Sequence, residues 1–217
     1  MPTTPRPTTP RLVGRSSSHY TRLARLFAEE LNIAYTFEPV HDLASRDPAD
    51  YAGNPALKLP VLVLAEGPVF GAENICRTLA AQAGNPLRIL WTEQLPDPRA
   101  RNAQELIWHG MGAQVQLVFG MQVAQLPAEN VYFAKAADGF RNALAWLDAN
   151  LESVLHGLPP RDLSLLEASL FCLLEHLHFR DTLPLAPYHH LAAFAASWRE
   201  RSAARRTLYA FDVAAPG

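Results

Sequence analysis

Asn54-Pro55-Ala56-Leu57-Lys58-Leu59-Pro60-Val61-Leu62 is the stretch whose reading decides the fold. Val61 to Leu64 is a compact apolar run, bounded by a proline-bearing loop before it and the Glu66-Gly67 turn signal after it. Such a run reads as a short buried strand. A proline directly ahead of it has no N–H for a ladder, so it belongs at the start of the strand or on an edge. Residues 41–57, with Pro48, Gly53 and Pro55, are polar and irregular and read as a long connection.

Working outward, Val69-Phe70 is a short strand opposite Val61–Leu64, and Ala72 to Ala83 is helical with Gly84 as its stop. On the other side, Leu12-Val13 is a strand candidate ended by Gly14. After the polar turn Arg15–His19, apolar residues Tyr20, Leu23, Ala24, Phe27 and Leu31 recur at helical spacing, with Ser18 placed as the N-cap. Tyr35 to Val40 reads as a second strand. The predicted order is β-α-β-loop-β-β-α. Pro86, Pro96 and Pro98 then mark residues 85–98 as a linker. From Arg99 onward the pattern predicts helices over about 99–124, 128–154, 164–180 and 188–207, and no strand. The third is apolar nearly all round, which marks a buried central helix. It opens on Ser164-Leu165-Leu166-Glu167, a capping-box pattern.

Composition excludes several classes. Net charge is -2 over 217 residues, which leaves no electrostatic footprint for nucleic acid. The basic residues Arg199, Arg201, Arg205 and Arg206 are interrupted by Glu200 and read as the solvated end of a helix. No apolar run reaches the length of a membrane span, about 18 residues or more. Residues 1–10 carry four prolines and no apolar signal core, and are expected to form a disordered tail. Cys76 and Cys172 lie in helical stretches and are expected to be buried free thiols, which suits a reducing, cytoplasmic setting.

The chain resembles a cytosolic glutathione transferase over nearly its whole length. The family's cis-proline stretch, Asn-Pro-x-Gly-Lys-Val-Pro-x-Leu, is similar to Asn54–Leu62, with Leu57 where glycine is usual. Arg15-Ser16-Ser17-Ser18-His19-Tyr20-Thr21-Arg22 resembles the serine turn entering the first helix. Phe140, Leu144, Leu147, Asp148 and Leu151 resemble the fifth helix of the family, and Ser164–Glu167 the cap of its central helix. Leu191, Phe194, Trp198, Arg205 and Arg206 resemble the late helix. The resemblance implies an α/β thioredoxin-like N-terminal domain over residues 11–84 and an all-α C-terminal domain over 99–217. It also implies a cis bond before Pro60, homodimerisation, and glutathione as co-substrate for a small hydrophobic electrophile. A second reading is a non-catalytic binding or scaffold protein of the same fold, with glutathione binding weak or lost.

The chemistry asks for a stabilised thiolate. A free thiol has a pKa near 8.5, and each unit of lowering needs about 1.4 kcal/mol of preference for the anion. A hydroxyl donor and a helix N-terminus supply that preference together. Ser18 is the first candidate, Ser17 and Ser16 are close rivals, and His19 stands beside them at the pocket. By resemblance, Leu59 holds the cysteinyl backbone beside Pro60, and Lys58 pairs with the glycine carboxylate. The family's Glu-Ser-x-Ala-Ile grip on the γ-glutamyl end is replaced by Gly71-Ala72-Glu73-Asn74-Ile75. There the bare helix start, Glu73 or Asn74 is expected to take over. Trp108, His109, Met111, Gly112 and Val115 are expected to line the electrophile pocket. No cysteine occupies the serine turn, against a thiol oxidoreductase, and no Cys/His spacing suits a metal.

Overall fold

The computed structural model describes residues 9–84, 87–127 and 129–213; most of the expected N-terminal tail lies outside the described residues. The chain divides into two compact units. One comprises residues 1–86 together with 203–217, and the other residues 87–202.

The first unit is built on a four-stranded mixed sheet. β1 (Arg11–Gly14), β2 (Thr36–Pro39), β3 (Val61–Leu64) and β4 (Gly67–Phe70) lie in the order β2-β1-β3-β4. β2 runs parallel to β1, and β3 antiparallel to both β1 and β4. α1 (His19–Glu30) connects β1 to β2, and α2 (Ala72–Gln82) follows β4. This is the expected βαβ–ββα arrangement of a thioredoxin-like domain. Its core includes Leu12, Val13, Leu23, Phe27, Val61, Leu62, Ile75 and Leu79. Burying each large apolar side chain stabilises the unit by about 1.5–3 kcal/mol.

α1 departs from a simple amphipathic stripe. Thr21 and Arg22 are buried as well as Leu23, Ala24, Phe27 and Ala28. The cause is the return of the chain: α7 (Ser202–Arg206) and the residues after it pack in this unit. The Arg22 guanidinium donates to the Ala204 carbonyl at 3.2 Å and lies 4.4 Å over the Tyr209 ring. Arg206 pairs with Glu29 at 2.6 Å. The sequence reading had carried the helical domain through these residues.

The second unit is helical, with α3 (Pro98–Leu117), α4 (Val131–Gly157), α5 (Leu165–Arg180) and α6 (His189–Arg199). α3 runs on through a widened π-type turn, Val118–Val123. α5 is the buried central helix, with Leu165, Leu166, Ala168, Leu170, Phe171, Cys172, Leu173, Leu174 and Leu177 all inside. Two differences from the sequence reading stand out. β5 (Ile89–Leu90), inside the expected linker, pairs in parallel with β6 (Leu163–Ser164). Two-residue strands carry no periodicity to read. The expected helix 188–207 breaks between α6 and α7, where no proline or glycine marks the interruption.

Helix caps follow the sequence closely. Asp97, Asn130 and Ser164 accept from Ala100, Tyr132 and Glu167 amides at the starts of α3, α4 and α5. The reciprocal half of the expected capping box is not made, because the Glu167 carboxylate accepts from Arg161 instead. α6 borrows its cap: the Leu191 amide donates to Asp148 on α4 at 2.9 Å.

Candidate functional site

Strand register brings three segments to one end of the sheet. Val13 pairs with Val61, and Val61 with Phe70. One step beyond those pairs lie Gly14, Pro60 and Gly71. The serine turn, the Leu59–Pro60 bond and the start of α2 therefore adjoin, although 56 residues separate Ser16 from Ala72 in the chain.

The serine turn is closed by its own backbone and by α1. Gly14 ends β1 with no room for a side chain: a Cβ there would lie 2.6 Å from Thr21 Cγ2. The Ser18 amide donates to the Arg15 carbonyl at 3.0 Å, and the Ser18 carbonyl accepts the first helical bond, from Arg22. Ser18 Oγ accepts from the Thr21 amide at 3.3 Å, the N-cap expected of it. Its hydroxyl hydrogen is still available to a ligand. Ser17 is buried and Ser16 half-buried. The Ser16 amide donates to Asp212 Oδ2 at 2.8 Å, and its carbonyl accepts from the Ala210 amide at 3.4 Å. His19 is the first residue of α1 and is only 2% exposed, with its ring 4.6 Å from that of Tyr20. Burial pushes the Tyr20 phenol up from its ordinary pKa.

The Leu59–Pro60 peptide bond is cis. The loop before it is held by Asn54, which is buried: its Nδ2 donates to the Lys58 carbonyl at 2.8 Å and its Oδ1 accepts from the Ala56 amide at 3.0 Å. Leu57 sits at φ 54°, in the left-handed region. A leucine at this position has a direct conformational cost, since an L-residue is disfavoured there by about 1–2 kcal/mol. Lys58 is exposed. Among the described residues no hydrogen bond involves the Leu59 N–H or C=O. An amide and a carbonyl on one exposed edge can take the backbone of an extended peptide, as a sheet edge takes an added strand.

α2 begins bare. Its N-cap Gly71 has φ 86° and ψ 134° and makes no side-chain cap, and the amides of Ala72, Glu73 and Asn74 have no acceptor among the described residues. The two side chains expected to help are otherwise engaged. Glu73 is paired with Arg77 at 2.7 Å, and Asn74 Nδ2 donates to the Phe70 carbonyl at 3.3 Å. What remains for an anion is the helix start itself.

The expected electrophile residues on α3 do not share one face. Trp108, Met111, Gly112 and Val115 follow the helical repeat. Met111 is fully buried in the helical core, Trp108 is half-buried and Val115 is exposed. His109 lies on another side, in a groove of about 450 Å³ between α3 and α4, with Leu106, Ala113 and Gln116. Deeper in the same unit, a largely buried polar chain joins α3, α5 and the loop after α5. Gln114 Nε2 and His176 Nδ1 are 3.0 Å apart, and Thr182 Oγ1 donates to Gln114 Oε1 at 2.8 Å. Among the described residues no group of three or more His, Cys, Asp or Glu is placed to hold a metal, and no helix is long and apolar enough to cross a membrane. Cys76 and Cys172 are both buried free thiols.

Comparison with known proteins places this geometry. Residues 12–87 match the family model for the N-terminal domain of glutathione S-transferase. Over the full length the chain is similar to a glutathione S-transferase from Methylobacterium radiotolerans, in complex with glutathione sulfonate. The TM-score is 0.72 at 22% identity, covering 97% of this chain and 100% of that one. A glutathione S-transferase from Methylobacillus flagellatus with glutathione bound gives a TM-score of 0.72 at 22% identity, covering 93% and 100%. A glutathione transferase family member from Pseudomonas fluorescens Pf-5 with bound glutathione gives 0.74 at 22%, covering 92% and 98%. Comparison with curated proteins finds no match.

Proposed function

We propose that this chain, whose N-terminal unit belongs to the glutathione S-transferase N-terminal domain family, is a glutathione transferase acting on small hydrophobic electrophiles. The observation that carries the proposal is the open Leu59 edge, whose N–H and C=O face no protein partner beside the serine turn and the α2 start. The cysteinyl backbone of glutathione pairs with Leu59. The γ-glutamyl carboxylate takes the amides of Ala72 and its neighbours, and Lys58 meets the glycine carboxylate. The thiol then lies at the serine turn, where the Ser18 hydroxyl donates to the sulfur and the positive end of α1 favours the anion. Ser17 and Ser16 are the alternatives for that contact.

In the reaction the thiol proton leaves to solvent. The sulfur lone pair forms a bond to the electrophilic carbon, and the leaving group departs with its bonding pair. The protein's contribution is a larger thiolate fraction and a held geometry. By the family resemblance alone the electrophile is assigned to α3, where Trp108 is half-buried, Val115 is exposed and Met111 packs within the helical core. Homodimeric assembly, a cytoplasmic setting and a role in detoxification belong to the same proposal and rest on the family resemblance.

The test is calorimetric titration with glutathione, followed by turnover on a panel of activated aryl halides and epoxides. Binding should raise the apparent stability by about 2.7 kcal/mol at a hundredfold excess over Kd, and Ser18→Ala should lower turnover at least tenfold. Absence of both binding and turnover overturns the proposal. Binding without turnover supports the second reading, a non-catalytic binding protein. That reading is favoured by the engagement of Glu73 and Asn74 in the protein's own contacts.

A further inference from the structure

We propose that the segment following α7 is a displaceable occupant of the serine turn, with the Asp212 carboxylate seated on the Ser16 amide where an anionic ligand would compete for it. The inference rests on the transferase reading for the identity of that ligand, but the contact itself stands on this unit alone.

Both backbone polar groups of Ser16 are taken by this segment. The amide donates to Asp212 Oδ2 at 2.8 Å and the carbonyl accepts from the Ala210 amide at 3.4 Å. The segment is moored upstream. Thr207 Oγ1 donates to the Ala203 carbonyl at 2.8 Å, and the Tyr209 ring lies 4.4 Å under the Arg22 guanidinium. Arg22 is itself buried and tied to the Ala204 carbonyl. The strap therefore has a fixed root and a polar tip.

Its mode of attachment argues for release. Leu208, Phe211 and Val213 are 63%, 61% and 87% exposed. A segment meant to be permanent would turn these side chains inward, since apolar burial is the main source of stability. The Ser16 end of this one is polar, two hydrogen bonds in place of buried apolar surface, and segments that bury little apolar surface open at low free energy.

The chemistry of the seat is that of an anion. A carboxylate on a backbone amide at the mouth of α1 makes a charge-assisted bond of the kind a thiolate would make. The carboxylate is also a negative charge close to the proposed thiolate position, and like charges disfavour ionisation. Asp212 thus opposes glutathione twice, by occupying the amide and by repelling the anion. For a protein whose competent state is only about one-tenth populated, removing the competitor raises affinity about tenfold.

The experiment uses the full chain and the variants Asp212→Asn, Asp212→Ala and Tyr209→Ala. Amide hydrogen exchange at Ser16, measured without ligand, reads the latch. Calorimetry with glutathione reads the competition. Asp212→Ala should speed exchange at Ser16 and lower Kd about tenfold, with Asp212→Asn and Tyr209→Ala intermediate. Unchanged exchange at Ser16 in Asp212→Ala overturns the latch. If the native protein binds glutathione and the variants bind no more tightly, the competition is overturned and the transferase proposal stands. If neither native protein nor variants bind, both fall. Binding by the variants alone supports the latch in its strongest form.

Discussion

The starts of α1 and α2 lie side by side at one end of the same sheet and are finished in opposite ways. α1 is entered through a serine turn whose polar groups are spoken for: Ser18 Oγ caps the helix, and Ser16 is bound by Asp212 and Ala210. α2 is entered through a glycine with no cap, and its first amides have no acceptor among the described residues. The difference separates two kinds of polar group on one surface. At the α1 turn the Ser16 amide is already matched internally, so a ligand that needs it must displace Asp212, while the Ser18 hydroxyl hydrogen stays available. The α2 start is unmatched, so a carboxylate there displaces only water. A peptide thiol with an acidic end needs both, and Leu59 lies between them.

This contrast can be broken in order of expected effect. Gly14→Val puts branched carbons into Thr21, 2.6 Å from where its Cβ would stand. It should destabilise the protein by about 3 kcal/mol, read as a lowered urea midpoint. A neutral result would mean that the α1 entry is far more plastic than its packing implies. Gly71→Ala meets no neighbour, so any loss is purely conformational. A φ of 86° with ψ 134° belongs to glycine, and about 2 kcal/mol should be lost. If α2's bare start serves the ligand only, that loss should be matched by weaker glutathione binding. Ser18→Ala removes a cap worth about 1 kcal/mol. Loss of stability alone, with thiol chemistry intact, would move the sulfur contact to Ser16 or Ser17. Leu57→Gly works in the opposite direction. It relieves the left-handed leucine at φ 54° but loosens the unfolded chain, so a net gain of up to about 1 kcal/mol should appear as a raised melting temperature.

A pH experiment sets the helical unit against these local effects. Asp162 is held down to about pKa 2, first by its hydrogen bond from the Arg88 side chain and then by the Arg88 backbone amide. A carboxyl lowered on folding contributes stability that is complete above its unfolded pKa near 3.8 and is lost as pH falls toward 2. Asp162→Asn should therefore flatten the acid limb of the stability curve between about pH 4 and 2. The pair is exposed, so the effect should be the smallest of the set and should fade with added salt.

The order of elements in the first unit was legible because each carried its own local signal. The run Val61–Leu64 behind Pro60, the helical spacing of Leu23, Ala24 and Phe27, and the Ser18 cap are all short-range patterns, as is the Ser164 cap in the second unit. The candidate segments were equally visible, since serines before a helix and a glycine at another helix start are read from neighbours in the chain. That Glu73 and Asn74 are engaged by Arg77 and by the Phe70 carbonyl is a short-range competition that the sequence pattern does not display. The burial of His19, 2% exposed at the start of α1, has no local signal, because its turn is polar in sequence.

What the sequence by itself determined is therefore the four strands and two α-helices within residues 11–84, the Ser18 and Ser164 caps and the presence of the serine, Leu59 and Gly71 segments, all properties of a few adjacent residues. What only the tertiary structure decided is which of their donors stay open. That depends on groups arriving from far along the chain. Asp212 reaches Ser16 across 196 positions, and Ala204 reaches Arg22 across 182. No periodicity records such contacts, because they exist only once the two ends of the chain have been packed into one unit.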